Sequence, residues 1–177
     1  MSWGAMRIGG VEYDLTHLDP LLIWVQPNAE GARMLRVLVS FSHHVFTRAI
    51  QPDDDPAAVC GPSTDLRCFC PERFGLSLRL REIIKAAGTQ KAFFPAPNHV
   101  RQRNFLLLEV EAGQPPYLIA FNLERATRAD VEAVMFVVSA HSRPSLPPKS
   151  QMDSIRFATL VAKVVRGEAI NRPPKKR

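Results

Sequence analysis

The sequence predicts an α+β fold: a mainly antiparallel β-sheet packed by two α-helices, in a single domain. Three observations carry this expectation. Apolar runs of strand length outnumber helical stripes, and three of them follow one another closely between residues 104 and 140. Only two stretches repeat their apolar residues at helical spacing. The 177 residues suffice for one well-cored domain, expected over residues 1–170 with a basic tail at 171–177.

The first apolar pieces, "GVEYDL" and "LLIWV", read as strands separated by "THLDP". "MLRVLVSFS" follows, and its alternation puts Leu35, Val37, Val39 and Phe41 on one face, with Arg36, Ser40 and Ser42 on the other. If the strand continued, His43 would point with the apolar set and His44 with the polar set. A long irregular loop is expected around residues 51–73. Pro52, Pro56 and Pro62, with the run Asp53–Asp55, exclude a regular element in its first part. "LSLRLREIIKAAG" is the clearest helix: Leu76, Leu80, Ile83, Ile84 and Ala87 form its stripe, Ser77 is the expected N-cap and Gly88 the stop. Two strands, "NFLLLEVEA" and "PYLIAFNLE", are joined by the hairpin turn "GQPP". "VEAVMFVVSA" is apolar on both faces, which places it inside the sheet. "DSIRFATLVAKVVRG" closes the chain as a helix that buries Ile155, Phe157, Leu160, Val161, Val164 and Val165 and ends at Gly167.

Composition narrows the classes of function. No window approaches the roughly 18 apolar residues of a membrane span, the opening "MSWGAMRIGG" lacks a secretory core, and three cysteines argue against a disulfide scaffold. The expectation is a cytoplasmic protein with reduced thiols and no membrane partner. Its net charge of +6 is uneven. From Arg143 onward nine Lys and Arg stand against two Asp and Glu, a net of +7. From Arg67 to Arg103 eight basic residues stand against Glu72 and Glu82. Such local excess suits a phosphate-rich partner.

Metal and cofactor signatures are weak. Cys60, Cys68 and Cys70 have C-x7-C-x-C spacing rather than the C-x2-C of a zinc knuckle. Adjacent histidines diverge on a strand, so His43 and His44 make a poor chelate there. No G-x-S-x-G elbow and no phosphate-binding glycine motif is present. The sequence therefore predicts no metal and no cofactor, and what it offers is acid/base chemistry. RNA supplies its own nucleophile, so cleavage needs a base, an acid and a cation near the phosphate. Histidine suits the proton roles and arginine the phosphate. Those types recur at three places: His43 and His44 with Thr47 and Arg48; His99 with Arg101 and Arg103; and Ser139 with His141 and Arg143. The candidate catalytic residues are His44, His43, Ser139 and His141. The candidate substrate-binding residues are Arg101, Arg103, Arg48 and Thr47. His44, on the polar face, is the expected proton carrier, the roles exchanging if the turn begins one residue earlier.

The order of elements, with a late strand ending "FVVSAH" after a hairpin, resembles the barnase, colicin and RelE-like ribonuclease toxins. The resemblance covers Arg103 to His141. It implies a compact antiparallel sheet that cuts RNA without metal. His43 or His44, Arg101 or Arg103, and Ser139 would be the working residues. This chain departs from the group in its length, in opening with strands, and in a body that is not strongly basic. The functional expectation is a metal-independent endoribonuclease of toxin type, with RNA as partner and a protein antidote as a second possible partner. The alternatives are a non-enzymatic protein or nucleic-acid interaction module and, behind it, a zinc-dependent enzyme.

Overall fold

The structure is a computed structural model that describes residues 2–28, 30–94, 105–109, 114–144 and 152–172. Its frame is a seven-stranded sheet. The strands are β3 (Leu21–Val25), β4 (Leu35–Phe41), β8 (Lys91–Phe93), β9 (Phe105–Glu109), β10 (Tyr117–Arg125), β11 (Ala133–Ser142) and β12 (Ser154–Arg156), in the order β12-β8-β9-β10-β11-β4-β3. Every neighbouring pair is antiparallel except β4 and β11, which run parallel with Val37 opposite Ala133. β1 (Ala5–Ile8) and β2 (Val11–Asp14) form a separate hairpin. β5 (Thr47–Arg48), β6 (Val59–Cys60) and β7 (Arg67–Phe69) make a small sheet in the order β5-β7-β6.

Three α-helices are described rather than two: α1 (Pro71–Ser77), α2 (Leu80–Ala86) and α3 (Phe157–Arg166). The main core joins Ile23 and Val37 of the sheet to Ile84 of α2 and Leu160 of α3. Phe105, Phe121 and Phe157 continue it as a chain of ring contacts 5.8–5.9 Å apart. Apolar area removed from water in this way is the main driving force for the fold.

The α+β expectation holds, and the alternation read in β4 is the observed one: Leu35, Val37, Val39 and Phe41 are all buried. β11 lies inside the sheet, between β10 and β4. Several boundaries differ. Helical structure begins at Pro71, inside the stretch expected to be irregular, because a proline at the first helical position gives up an N–H that would have no partner there. Ser77 is not an N-cap; it is buried at the end of α1 and donates to the Phe74 carbonyl at 2.7 Å. Short elements, a 3-10 turn at Pro56–Ala58 and then β6, also occupy the proline-rich stretch. The last helix starts late because Ser154–Arg156 pairs with β8, so Ile155 packs from a strand. Gly167 ends α3 as expected, in the left-handed conformation at φ 70°.

One irregularity matters for the site. Between Ala120 and Phe121 the register with β11 shifts, so that Ala120 faces Ser139 while Phe121 faces Val137. The extra residue, Val138, reverses the facing of the rest of β11. Ala140 then takes the core side, and Ser139 and His141 join Ala120 and Leu118 on the opposite face.

Candidate functional site

β4 does not continue through the histidines. After Phe41 the Ser42 amide donates to the Val137 carbonyl at 2.9 Å, the last tie to β11. His43–Val45 then forms a 3-10 turn, with the Ser42 hydroxyl accepting from the His44 amide at 3.2 Å. Val45 and Phe46 are fully buried and anchor this turn. The small sheet brings a distant loop back to it: β5 pairs with β7, which hangs residues 61–66 beside the histidines.

The expected divergence of the two histidines is therefore overturned. In the tight turn both rings swing to one side, edge to face with centroids 4.7 Å apart. Both converge on Asp65. His44 Nε2 donates to Asp65 Oδ2 at 2.6 Å. His43 Nε2 donates to the Asp65 main-chain carbonyl at 3.1 Å and lies 3.4 Å from Oδ2. A carbonyl only accepts, so the His43 proton sits on Nε2 and Nδ1 is its basic nitrogen. Burial lowers the His43 pKa from its ordinary value, against the pull of the Asp65 carbonyl. The hydrogen bond from His44 holds the Asp65 carboxyl below the usual carboxylate range.

Gly61 shapes the cradle. Its φ is +109°, and a Cβ there would meet the Asp65 carbonyl oxygen at 2.9 Å and the His43 ring at 3.1 Å. Only glycine lets the loop lie this close to the imidazole. Arg67 is charge-coupled to both His43 and Asp65, and its Nε donates to the Thr47 hydroxyl at 3.0 Å. Arg73, on α1, donates from Nη1 to the carbonyls of Thr47 at 2.6 Å and His44 at 3.3 Å, pinning the turn from behind.

The other expected site residues are not gathered here. Thr47 is fully buried, donates to the His43 carbonyl at 2.8 Å and accepts from Arg67, so its hydroxyl is committed within the fold. Arg48 grips Asp54 through both terminal nitrogens and holds that carboxyl down at about 2. The Asp54 side chain, from the acidic run, is 8% exposed and ion-paired rather than facing solvent. Ser139 and His141 lie on the sheet face opposite the main core, and among the described residues no hydrogen bond joins them to His43 or His44. His141 accepts from Arg143 Nε at 3.2 Å, and its Nδ1 is buried with no partner among the described residues. Burial, with Arg73 and Arg143 nearby, pushes its pKa down to about 4. His99, Arg101 and Arg103 fall outside the described residues. His17 belongs to a separate contact: its Nε2 donates to the Ser77 hydroxyl at 2.8 Å.

Sequence reasoning missed Asp65, Gly61, Arg67 and Arg73. Asp65 and its partner histidines lie about twenty residues apart, brought together by a pairing of only two positions between β5 and β7. No local pattern encodes that approach.

Fold and site together define an α+β protein whose mixed sheet presents a histidine pair, facing a loop carboxylate, at the end of the strand next to one edge. The chain matches the YjaZ family over residues 5–165 and belongs to that family. No curated protein and no solved structure matches it.

Proposed function

We propose that this YjaZ-family chain is an endoribonuclease that cleaves RNA by proton transfer, with His43, His44 and Asp65 as its centre. The observation that carries this reading is the convergence of two imidazoles on one carboxylate, His44 at 2.6 Å and His43 at 3.4 Å. Burial favours a neutral His43, which suits it to take the 2′-hydroxyl proton at Nδ1. The Asp65 carboxylate compensates the charge of a doubly protonated His44, which suits that ring to return a proton to the departing 5′-oxygen. The 2′-oxygen then bonds to phosphorus as the 5′-oxygen leaves, giving a 2′,3′-cyclic phosphate and a free 5′-hydroxyl. Arg67 takes the cation role expected of Arg48, whose charge is engaged by Asp54. The net charge of +6 supports a phosphate-rich substrate.

The test is cleavage of a fluorogenic single-stranded RNA. His44→Ala should slow it by about 10²–10⁴-fold, as for loss of a general acid. Asp65→Asn should slow it while leaving a folded protein. A wild-type chain that leaves RNA intact ends this reading.

A second reading, an interaction module without chemistry, is favoured by one specific feature. Leu22 and Trp24 of β3 and Phe136 of β11 are 45%, 54% and 42% exposed on the sheet face away from the main core. Under this reading Leu22→Ser with Trp24→Ser abolishes partner capture or self-association in sedimentation, and RNA cleavage is absent throughout.

A further inference from the structure

We infer that His43, His44 and Asp65 form a binding site for a divalent first-row transition-metal ion of the zinc class. The inference concerns the same cluster as the proposed proton-transfer centre but does not require that the cluster be catalytic.

Three ligand atoms, one from each residue, lie within 4.8 Å of one another. Zinc–nitrogen and zinc–oxygen bonds of about 2.0–2.2 Å place tetrahedral ligands roughly 3.3–3.6 Å apart. His43 Nε2 already stands 3.4 Å from Asp65 Oδ2. The His44–Asp65 contact, at 2.6 Å, must open to admit an ion, and the His43 Nε2 hydrogen bond to the Asp65 carbonyl must be released. To ligate through Nε2, a neutral ring exchanges its Nε2–H tautomer for Nδ1–H, and a doubly protonated ring gives up its Nε2 proton. The donor set selects the ion. Two imidazoles with carboxylate suit zinc and its neighbours, whereas magnesium and calcium prefer oxygen alone.

The surroundings are built for this set. Gly61 closes against the His43 ring with no room for a Cβ, and Arg73 fixes the main chain of the turn through the His44 carbonyl. Side-chain exposure rises from 12% at His43 to 26% at His44 and 44% at Asp65, so the site opens to solvent on the carboxylate side. An ion held here would keep a position for water or substrate there. Metal on His44 Nε2 and the His44–Asp65 hydrogen bond exclude one another, so a bound ion displaces the proton-transfer arrangement.

The experiment uses the full chain, stripped with chelator and titrated with Zn²⁺ by calorimetry. One ion per chain is expected. His43→Gln, His44→Gln and Asp65→Asn should each weaken binding at least ten-fold, and His17→Gln should not. Imidazole ¹⁵N spectra of the wild-type chain keep the test independent of how the variants fold: the His43 and His44 signals should move with zinc while His17 and His141 stay. No binding overturns the inference, as does binding that leaves the His43 and His44 signals in place or moves instead with Cys60→Ser or Cys70→Ser. RNA cleavage is read separately. Zinc binding by a chain that cleaves no RNA when metal-free sinks the ribonuclease reading alone, and cleavage by a chain that binds no zinc sinks this inference alone.

Discussion

At Gly61 two demands coincide. The backbone sits at φ +109°, where a side chain is strained, and the space a Cβ would need is filled by the Asp65 carbonyl and the His43 ring. Gly61→Ala should therefore cost about 1–3 kcal/mol of stability, read from urea unfolding, and should displace the loop that carries Asp65. An alanine variant as stable as wild type would mean that this loop has freedom the geometry denies it. His141 makes a different prediction, on pH. Its pKa falls from 6.5 to about 4, burial being the largest cause and the charges of Arg73 and Arg143 adding to it. Below pH 6.5 the unfolded chain binds a proton that the folded chain refuses. Stability is lost as pH falls from 6.5 toward 4, and this loss levels off below 4. His141→Gln should flatten that part of the stability profile, measured by thermal melts from pH 7 to 4. The same shift leaves His141 neutral at pH 7, unsuited to donating a proton.

Among the elements, the parallel contact of β4 with β11 has its own clamp. Glu132 accepts from the Arg36 amide at 2.7 Å and from its guanidinium at 3.0 and 3.2 Å, while the Glu132 amide donates to the Arg36 carbonyl at 2.9 Å. The Arg36 bonds hold the Glu132 carboxyl down at about 2, from 4.5. A depressed carboxylate stabilises the fold above the unfolded pKa, and that contribution fades as pH falls from 4.5 toward 2. Glu132→Gln should lower the melting temperature at pH 7 and remove this acid-dependent loss. The sequence carried β4, the strands β9 and β10, β11 and the stripe of α2, because burial on one face imposes a period that residue types reveal; the turn expected at "GQPP" lies partly outside the described residues. It carried less where tertiary pairing overrides local preference. Ile155 fits a helical stripe but is drawn into β12 by β8. His43 and His44 follow a strand pattern, yet the Ser42 cap and the buried Val45 and Phe46 turn the chain at that point. The histidines were visible as residues. Their partner Asp65 was not, since only the pairing of β5 with β7 brings it near.

Across the molecule, stability should be distributed unevenly between the seven-stranded sheet and the three-stranded one. β10 and β11 pair over nine positions, and buried residues of the main core line one face of both strands. The small sheet that delivers Asp65 has two paired positions on each side of β7. Its hold on the rest comes from Phe46 and Phe69 in the core and from Arg73 on the Thr47 carbonyl. Local opening draws on the part with fewest ladder bonds, so the small sheet should open below the global unfolding free energy. Amide hydrogen exchange should thus be faster at Arg48 and Arg67 than at Phe121 and Met135. A ligand that binds only the closed form stabilises by about 2.7 kcal/mol at a hundred-fold excess over its Kd. Zinc added in that excess should slow exchange at Arg48 and Arg67 by up to about a hundred-fold, provided these amides exchange through openings that dismantle the site. Phe121 and Met135 should slow only to the extent that they exchange by global unfolding. Equal exchange in the two sheets without zinc would show that they open as one unit. Protection by zinc confined to the large sheet would place the ion elsewhere than between the histidine turn and Asp65.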